Sequence, residues 1–114
     1  MLKISEQTVG PILVLELSGQ FDYRSTGDFD TQINRFIDAG NHNILLGFSH
    51  LEYVCSAGVR SMLAAHRRLE PLGGRIVLFG ENPLVQDIFK ISGLNKILKV
   101  CPDQENALKA VQAS

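Results

Sequence analysis

The spacing of apolar residues changes repeatedly along this chain, from short strand-like runs to helix-period stripes and back, and that alternation confines it to an α/β fold. "LKISEQTV" alternates loosely, and "PILVLELSG" follows the turn signal Gly10-Pro11, so the two runs predict an antiparallel hairpin at the start. In "STGDFDTQINRFIDAG" the residues Phe29, Ile33, Phe36 and Ile37 fall on one helical face, with Ser25 and Asp28 as a capping-box-like start and Gly40 as the exit. "NILLGFS" is a nearly continuous apolar run, as in a strand covered on both faces.

A second helix is expected from Ser56, with Val59, Met62, Leu63, His66 and Leu69 on its inner face, until "PLGG" stops it. "RIVLFG" is the next strand. "NPLVQDIFKISG" has Asn82 as N-cap, Pro83 at the first helical position, Leu84, Val85, Ile88 and Phe89 as an apolar face, and Gly93 at the end. "KILKV" reads as a last strand, and "DQENALKAVQA" as a helix capped by Asp103 with Ala107, Leu108 and Val111 as its stripe. The order ββαβαβαβα predicts a single α/β domain over residues 1–114, with a mixed, mostly parallel sheet, an N-terminal hairpin and about four helices.

Charge excludes one large class of partner. Eleven basic and twelve acidic side chains are interspersed, for a formal net charge of -1, so no broad positive field is available for nucleic acid. Glu6 and Glu16 interrupt the apolar residues of the N-terminal segment, and no run is long enough to insert directly into a membrane, so a cytoplasmic location is expected. Cys55 and Cys101 lie far apart with no clustered Cys/His spacing, and no glycine-rich phosphate loop follows any strand. Neither a metal nor another cofactor is expected.

The informative stretch is "LEYVCSAGVRSML", where a β-branched segment runs into a helix through Cys55, Ser56, Ala57 and Gly58. A serine there reads first as an N-cap for the helix. That role leaves Gly58 unexplained, since glycine weakens a first turn by up to about 1 kcal/mol relative to alanine. A run of small side chains instead reads as a surface that another protein approaches closely, with the Ser56 hydroxyl accessible on it. A phosphoryl group on Ser56 would sit beside the positive end of the helix dipole, tolerated by the fold and felt mainly at the surface. Arg60, Arg67 and Arg68 fall on the outward side of the same helix, a solvated face that also suits the rim of an interface. Cys55 beside a helix N-terminus invites a nucleophilic reading, but no motif links it to His42, His50 or His66 as a base, so no enzymatic activity is expected.

The junction "YVCSAGVRSML", preceded by "GQFD" and followed by "GGRIVLFGENPLVQDIFKISGLNKIL", resembles the STAS domain family of anti-sigma factor antagonists across essentially the whole chain. That family has a GxxD turn after its second strand, a D-S-[ST]-G-like turn before its second helix, and a late SGL. The resemblance implies that Ser56 is the serine phosphorylated by an anti-sigma factor that is itself a serine kinase of the histidine-kinase-like ATPase superfamily. It also implies that a PP2C-type phosphatase resets the protein, and that Asp22, matching the acidic residue of GxxD, lies beside the phosphorylation site. The partner surface expected on this basis comprises Asp22, Cys55, Ser56, Ala57, Gly58 and Arg60. This chain departs from the family pattern at Cys55, which replaces the usual acidic residue before the serine, at Ala57, which replaces a second hydroxyl, and at Gly47, where many members carry Asp or Asn. The alternative is a STAS scaffold never phosphorylated, or a subunit of a transporter or signalling complex.

Overall fold

The structure is a computed structural model that describes residues 1–112. Strand β1 (Leu2–Val9) pairs antiparallel with β2 (Ile12–Phe21), and Val9 stands opposite Ile12 across a two-residue turn. Gly10 adopts φ +60° there, the left-handed backbone that the first central position of such a hairpin turn requires. Beyond the hairpin the chain alternates: α1 (Thr26–Asp38), β3 (Asn43–Val54), α2 (Ser56–Leu69), β4 (Arg75–Phe79), α3 (Pro83–Ser92), β5 (Lys99–Cys101) and α4 (Gln104–Gln112). Strands β2 to β5 are mutually parallel, and the sheet order is β1-β2-β3-β4-β5, so the predicted α/β domain with a mixed sheet, an N-terminal hairpin and four helices is what forms.

This order decides where the helices lie. Parallel connections are right-handed, so strands that advance steadily across a sheet place every connecting helix on the same face. Accordingly Phe29, Ile33 and Ile37 of α1, Val59, Met62, Ala65 and Leu69 of α2, and Val85 and Phe89 of α3 join one core with Leu13, Leu15, Leu17, Ile44, Leu46 and Phe48. Each of these side chains other than Ala65 contributes roughly 1.5–3 kcal/mol of transfer free energy on burial. The α4 helix leaves the last strand to cover the other face, where Ala107 and Val111 pack on Ile12, Val14, Leu45, Val77 and Phe79.

Four local expectations are corrected. Ser25 precedes α1 but makes no cap bond; its hydroxyl donates backward to the Gln20 carbonyl at 3.0 Å and to Asp22 Oδ1 at 3.1 Å. Strand β3 runs on to Val54, because Ser18 to Phe21 of β2 stay paired with it through two register shifts. "KILKV" is not one strand: Leu94–Lys96 is a 3-10 turn, and β5 begins only at Lys99. On α3, Val85 and Phe89 are buried as expected, but Leu84 is exposed and Ile88 only half-buried. The α4 helix expected to reach Ala113 is seen to Gln112, and Ala113 lies outside the described residues.

Gly47 is explained by its neighbours on the α4 side of the sheet. A Cβ there would stand 2.5 Å from Glu16 Oε2 and 2.7 Å from Phe79 Cζ. Glu16, directly across the ladder from Gly47, thus occupies the space that a side chain on β3 would take.

Candidate partner interface at the start of helix α2

Two strand-to-helix junctions meet at the C-terminal edge of the parallel strands. Phe21, the last residue of β2, is level with Val54, the last of β3, and the Cys55 N–H donates to the Phe21 carbonyl at 2.9 Å. The register therefore places the β2–α1 turn, carrying Asp22, alongside the β3–α2 turn, carrying Ser56.

At the second turn the N-cap is Cys55, not Ser56. Cys55 is extended (φ -88°, ψ 169°), and its Sγ accepts from the Gly58 N–H at 3.4 Å. Sulfur is a weak acceptor, so this cap holds the first turn loosely compared with an oxygen. Ser56 becomes the first helical residue and is exposed, and its hydroxyl has no hydrogen-bond partner among the described residues. The first turn of α2 contains no acidic side chain, which leaves the positive end of the helix dipole unopposed around that hydroxyl.

Gly58 plays a different part from the one expected of it. It is buried, and a Cβ there would meet Phe21 Cδ1 and Val54 Cγ2 at 3.0 Å. Its small size lets α2 sit down on the ends of β2 and β3, so a partner does not reach it. Cys55 and Ala57 are half-buried, and Arg60, one turn beyond Ser56, is exposed without an ion pair among the described residues.

Asp22 is adjacent but occupied. Its carboxylate accepts from the Arg24 backbone N–H at 3.0 Å, from Arg24 Nη2 at 3.0 Å and from the Ser25 hydroxyl at 3.1 Å. The side-chain hydrogen bond from Arg24, foremost among these contacts, holds the Asp22 carboxyl below its ordinary range. The Asp22 carboxylate accepts nothing from the Ser56 hydroxyl among the described residues; Arg24 and Ser25 occupy it instead. Ser49, the other nearby hydroxyl, accepts from the Glu81 N–H at 3.2 Å and so belongs to the start of α3.

On the inner face of α2, one turn before its end at Leu69, the buried His66 Nδ1 accepts from the Ile76 backbone N–H at 3.1 Å and ties the helix to β4. Burial holds this imidazole below its ordinary pKa; Arg75 and Arg67 push the same way, and Glu70 opposes them. Arg68 Nη1 reaches Asn34 Oδ1 at 2.8 Å, and its Nη2 pairs with Asp38, fastening α2 to α1. Sequence reasoning missed this fastening, since nothing in the spacing of Arg68 singles it out from Arg60 or Arg67. Among the described residues no cluster of three or more His, Cys, Asp or Glu side chains could hold a metal, and no helix is long and apolar enough to cross a membrane.

The family profile described as "STAS domain" matches residues 3–107. BtrV of Bordetella bronchiseptica is 26% identical over 113 residues, covering 99% of this chain and 97% of its own. An anti-sigma F factor antagonist of Paenibacillus polymyxa is 26% identical over 102 residues, 89% of this chain and 87% of its own. Among solved structures, the anti-sigma factor antagonist SpoIIAA in its unphosphorylated form superposes with a TM-score of 0.84 at 26% identity, covering 98% of each chain. SpoIIAA, a Bacillus cell fate determinant, in the phosphorylated form gives a TM-score of 0.74 at 25% identity over 96% of this chain and 99% of that one. The chain belongs to the STAS domain family.

Proposed function

We propose that this STAS-family protein is an anti-sigma factor antagonist whose hold on its partner is switched at Ser56. The observation that carries this reading is the exposed, unbonded hydroxyl of Ser56 at the first residue of α2, in a turn free of acidic side chains. A related fold of comparable length exists in phosphorylated and unphosphorylated forms, which supports the same reading. The partner is a serine-kinase-type anti-sigma factor of the histidine-kinase-like ATPase superfamily, and the protein itself catalyses nothing.

In the unmodified state the anti-sigma factor docks on the Ser56 turn and the outer side of α2, with Cys55, Ala57 and Arg60 around the contact and Asp22 at its margin. Transfer of the γ-phosphoryl group of ATP to Ser56 Oγ releases ADP and the hydroxyl proton, and places nearly two negative charges in the contact. The helix dipole and Arg60 accommodate that charge within the fold, while acidic groups of the partner are repelled. A PP2C-type phosphatase then hydrolyses the ester to inorganic phosphate and restores the hydroxyl. Such an exchange takes place in the cytoplasm.

The test is to incubate wild type and Ser56→Ala with the serine-kinase-type anti-sigma factor of the same organism and ATP, and to measure binding to Ser56→Asp. One phosphoryl group on wild type, none on Ser56→Ala, and at least tenfold weaker binding of Ser56→Asp, about 1.4 kcal/mol, are expected. A wild-type protein that binds but is never phosphorylated, with Ser56→Asp binding equally, would favour the scaffold reading. The thiol of Cys55, in place of the family's carboxylate, is the feature that points that way.

A further inference from the structure

Tyr23, in the β2–α1 turn, is 76% exposed, so the fold gains little from burying its ring. The residue is nevertheless held in place. Its carbonyl accepts from the Thr26 hydroxyl at 3.1 Å, and the guanidinium carbon of Arg24 stands 5.9 Å from the centre of its ring, within cation–π reach. Arg24 is held in turn, because its Nη2 donates to Asp22 Oδ2 at 3.0 Å and its backbone N–H donates to Asp22 Oδ1 at 3.0 Å. The buried Ser25 hydroxyl donates to both Asp22 Oδ1 and the Gln20 carbonyl, which roots the whole set at the end of β2. An exposed arginine–carboxylate pair adds little to stability, so folding alone does not account for contacts that order an exposed ring.

The place of the ring gives it a use. The Cys55 N–H donates to the Phe21 carbonyl, so the turn carrying Tyr23 lies alongside the turn carrying Ser56, and a protein that covers the Ser56 hydroxyl borders both. Tyrosine offers a large contact area with only two side-chain torsions to freeze, and a ring ordered before contact loses less freedom on binding. Asp22 and Arg24 neutralise one another, so the turn presents an aromatic face without net charge.

We propose that Tyr23 is an aromatic anchor that enters an apolar recess of the anti-sigma partner, and that Asp22 is a positioning residue that acts through Arg24 to hold the ring ready. This deepens the reading above and rests on it. It gives the Asp22 carboxylate a task that its bonds to Arg24 and Ser25 serve, namely shaping the surface beside the Ser56 hydroxyl instead of touching the hydroxyl itself. A buried aromatic side chain next to a polar switch residue matches the way interfaces concentrate affinity in a few anchors.

The test is calorimetric titration of the same serine-kinase-type anti-sigma factor into wild type, Tyr23→Ala, Tyr23→Phe, Asp22→Asn and the double variant Asp22→Asn/Tyr23→Ala, each checked for an unchanged urea midpoint. Expected are a loss of about tenfold or more for Tyr23→Ala, equal at low and high salt, and near wild-type affinity for Tyr23→Phe. Asp22→Asn should cost about threefold to tenfold alone and almost nothing once Tyr23 is alanine, because its effect passes through the ring. A full Asp22→Asn loss in the Tyr23→Ala background would overturn the positioning role. Equal losses for Tyr23→Phe and Tyr23→Ala would put the contact at the hydroxyl and overturn the apolar recess. Wild-type binding with Tyr23→Ala unchanged would overturn the anchor while leaving the antagonist reading standing, and failure of the wild type itself to bind would remove both.

Discussion

Helices α2 and α3 both start where a parallel strand ends, yet the two starts are built oppositely. At α3, Asn82 places its Nδ2 within reach of the carbonyls of Phe48 at 3.0 Å and Leu51 at 2.7 Å. Its Oδ1 accepts from the Val85 N–H, and its own N–H donates to Gln86 Oε1. At α2 the equivalent position holds Cys55, whose own N–H donates to the Phe21 carbonyl at 2.9 Å but whose side chain makes only one long contact, to the Gly58 N–H. One junction is knotted into the sheet through its side chain, and the other is held by backbone alone, with the Ser56 hydroxyl left open. The difference teaches where this fold can change its surface chemistry: the start of α2 can be charged or discharged without undoing a bond the sheet depends on.

The largest effect should come from cutting the knot. Asn82→Ala strands two carbonyls and an unfilled helix start, and a loss of about 2–3 kcal/mol is expected in urea unfolding. A loss under about 0.5 kcal/mol would mean that the two junctions do not differ in kind. Next is His66, the knot at the far end of α2. His66→Ala leaves the Ile76 N–H buried without an acceptor, at about 1–3 kcal/mol.

The same residue has a pH signature. Its folded pKa lies below the ordinary 6.5, so the unfolded chain binds the proton more readily. The stability it contributes is complete above about pH 6.5 and is lost as pH falls from there through the folded value. His66→Gln, which keeps an acceptor but does not titrate, should flatten the unfolding midpoint across that range; an unchanged slope would assign the pH dependence to other groups.

Smaller effects are expected at the open junction itself. Gly58→Ala pushes a methyl against Phe21 and Val54, for a net cost of about 1 kcal/mol once the helix-propensity gain is included. Cys55→Ser replaces a weak sulfur cap with an oxygen and should raise stability by about 0.5 kcal/mol. Ser56→Ala should change it by less than that, and a large loss there would show that the hydroxyl supports the fold after all.

Apolar periodicity made the order of elements and the mixed sheet legible, because each strand and helix carries its own pattern. The Ser56 turn stood out in the sequence for a similar reason: four small residues at a strand-to-helix change are locally unusual. What could not be read were properties that depend on how neighbours are placed in three dimensions, near or far in sequence. Gly58 looked like room for a partner and is room for Phe21. Asp22 looked available to Ser56 and is held by Arg24, two residues away, in a turn whose geometry the spacing does not encode.

The paired positions 16 and 47 have a consequence for how chains of this kind can diverge. A side chain at residue 47 and the present rotamer of Glu16 exclude each other, so neither site drifts alone. Shortening residue 16 first relieves one of the two close approaches and leaves only Phe79 Cζ, 2.7 Å from the new Cβ, to give way, whereas enlarging residue 47 first passes through both clashes. The sheet thereby imposes an order on the steps by which one sequence can become the other.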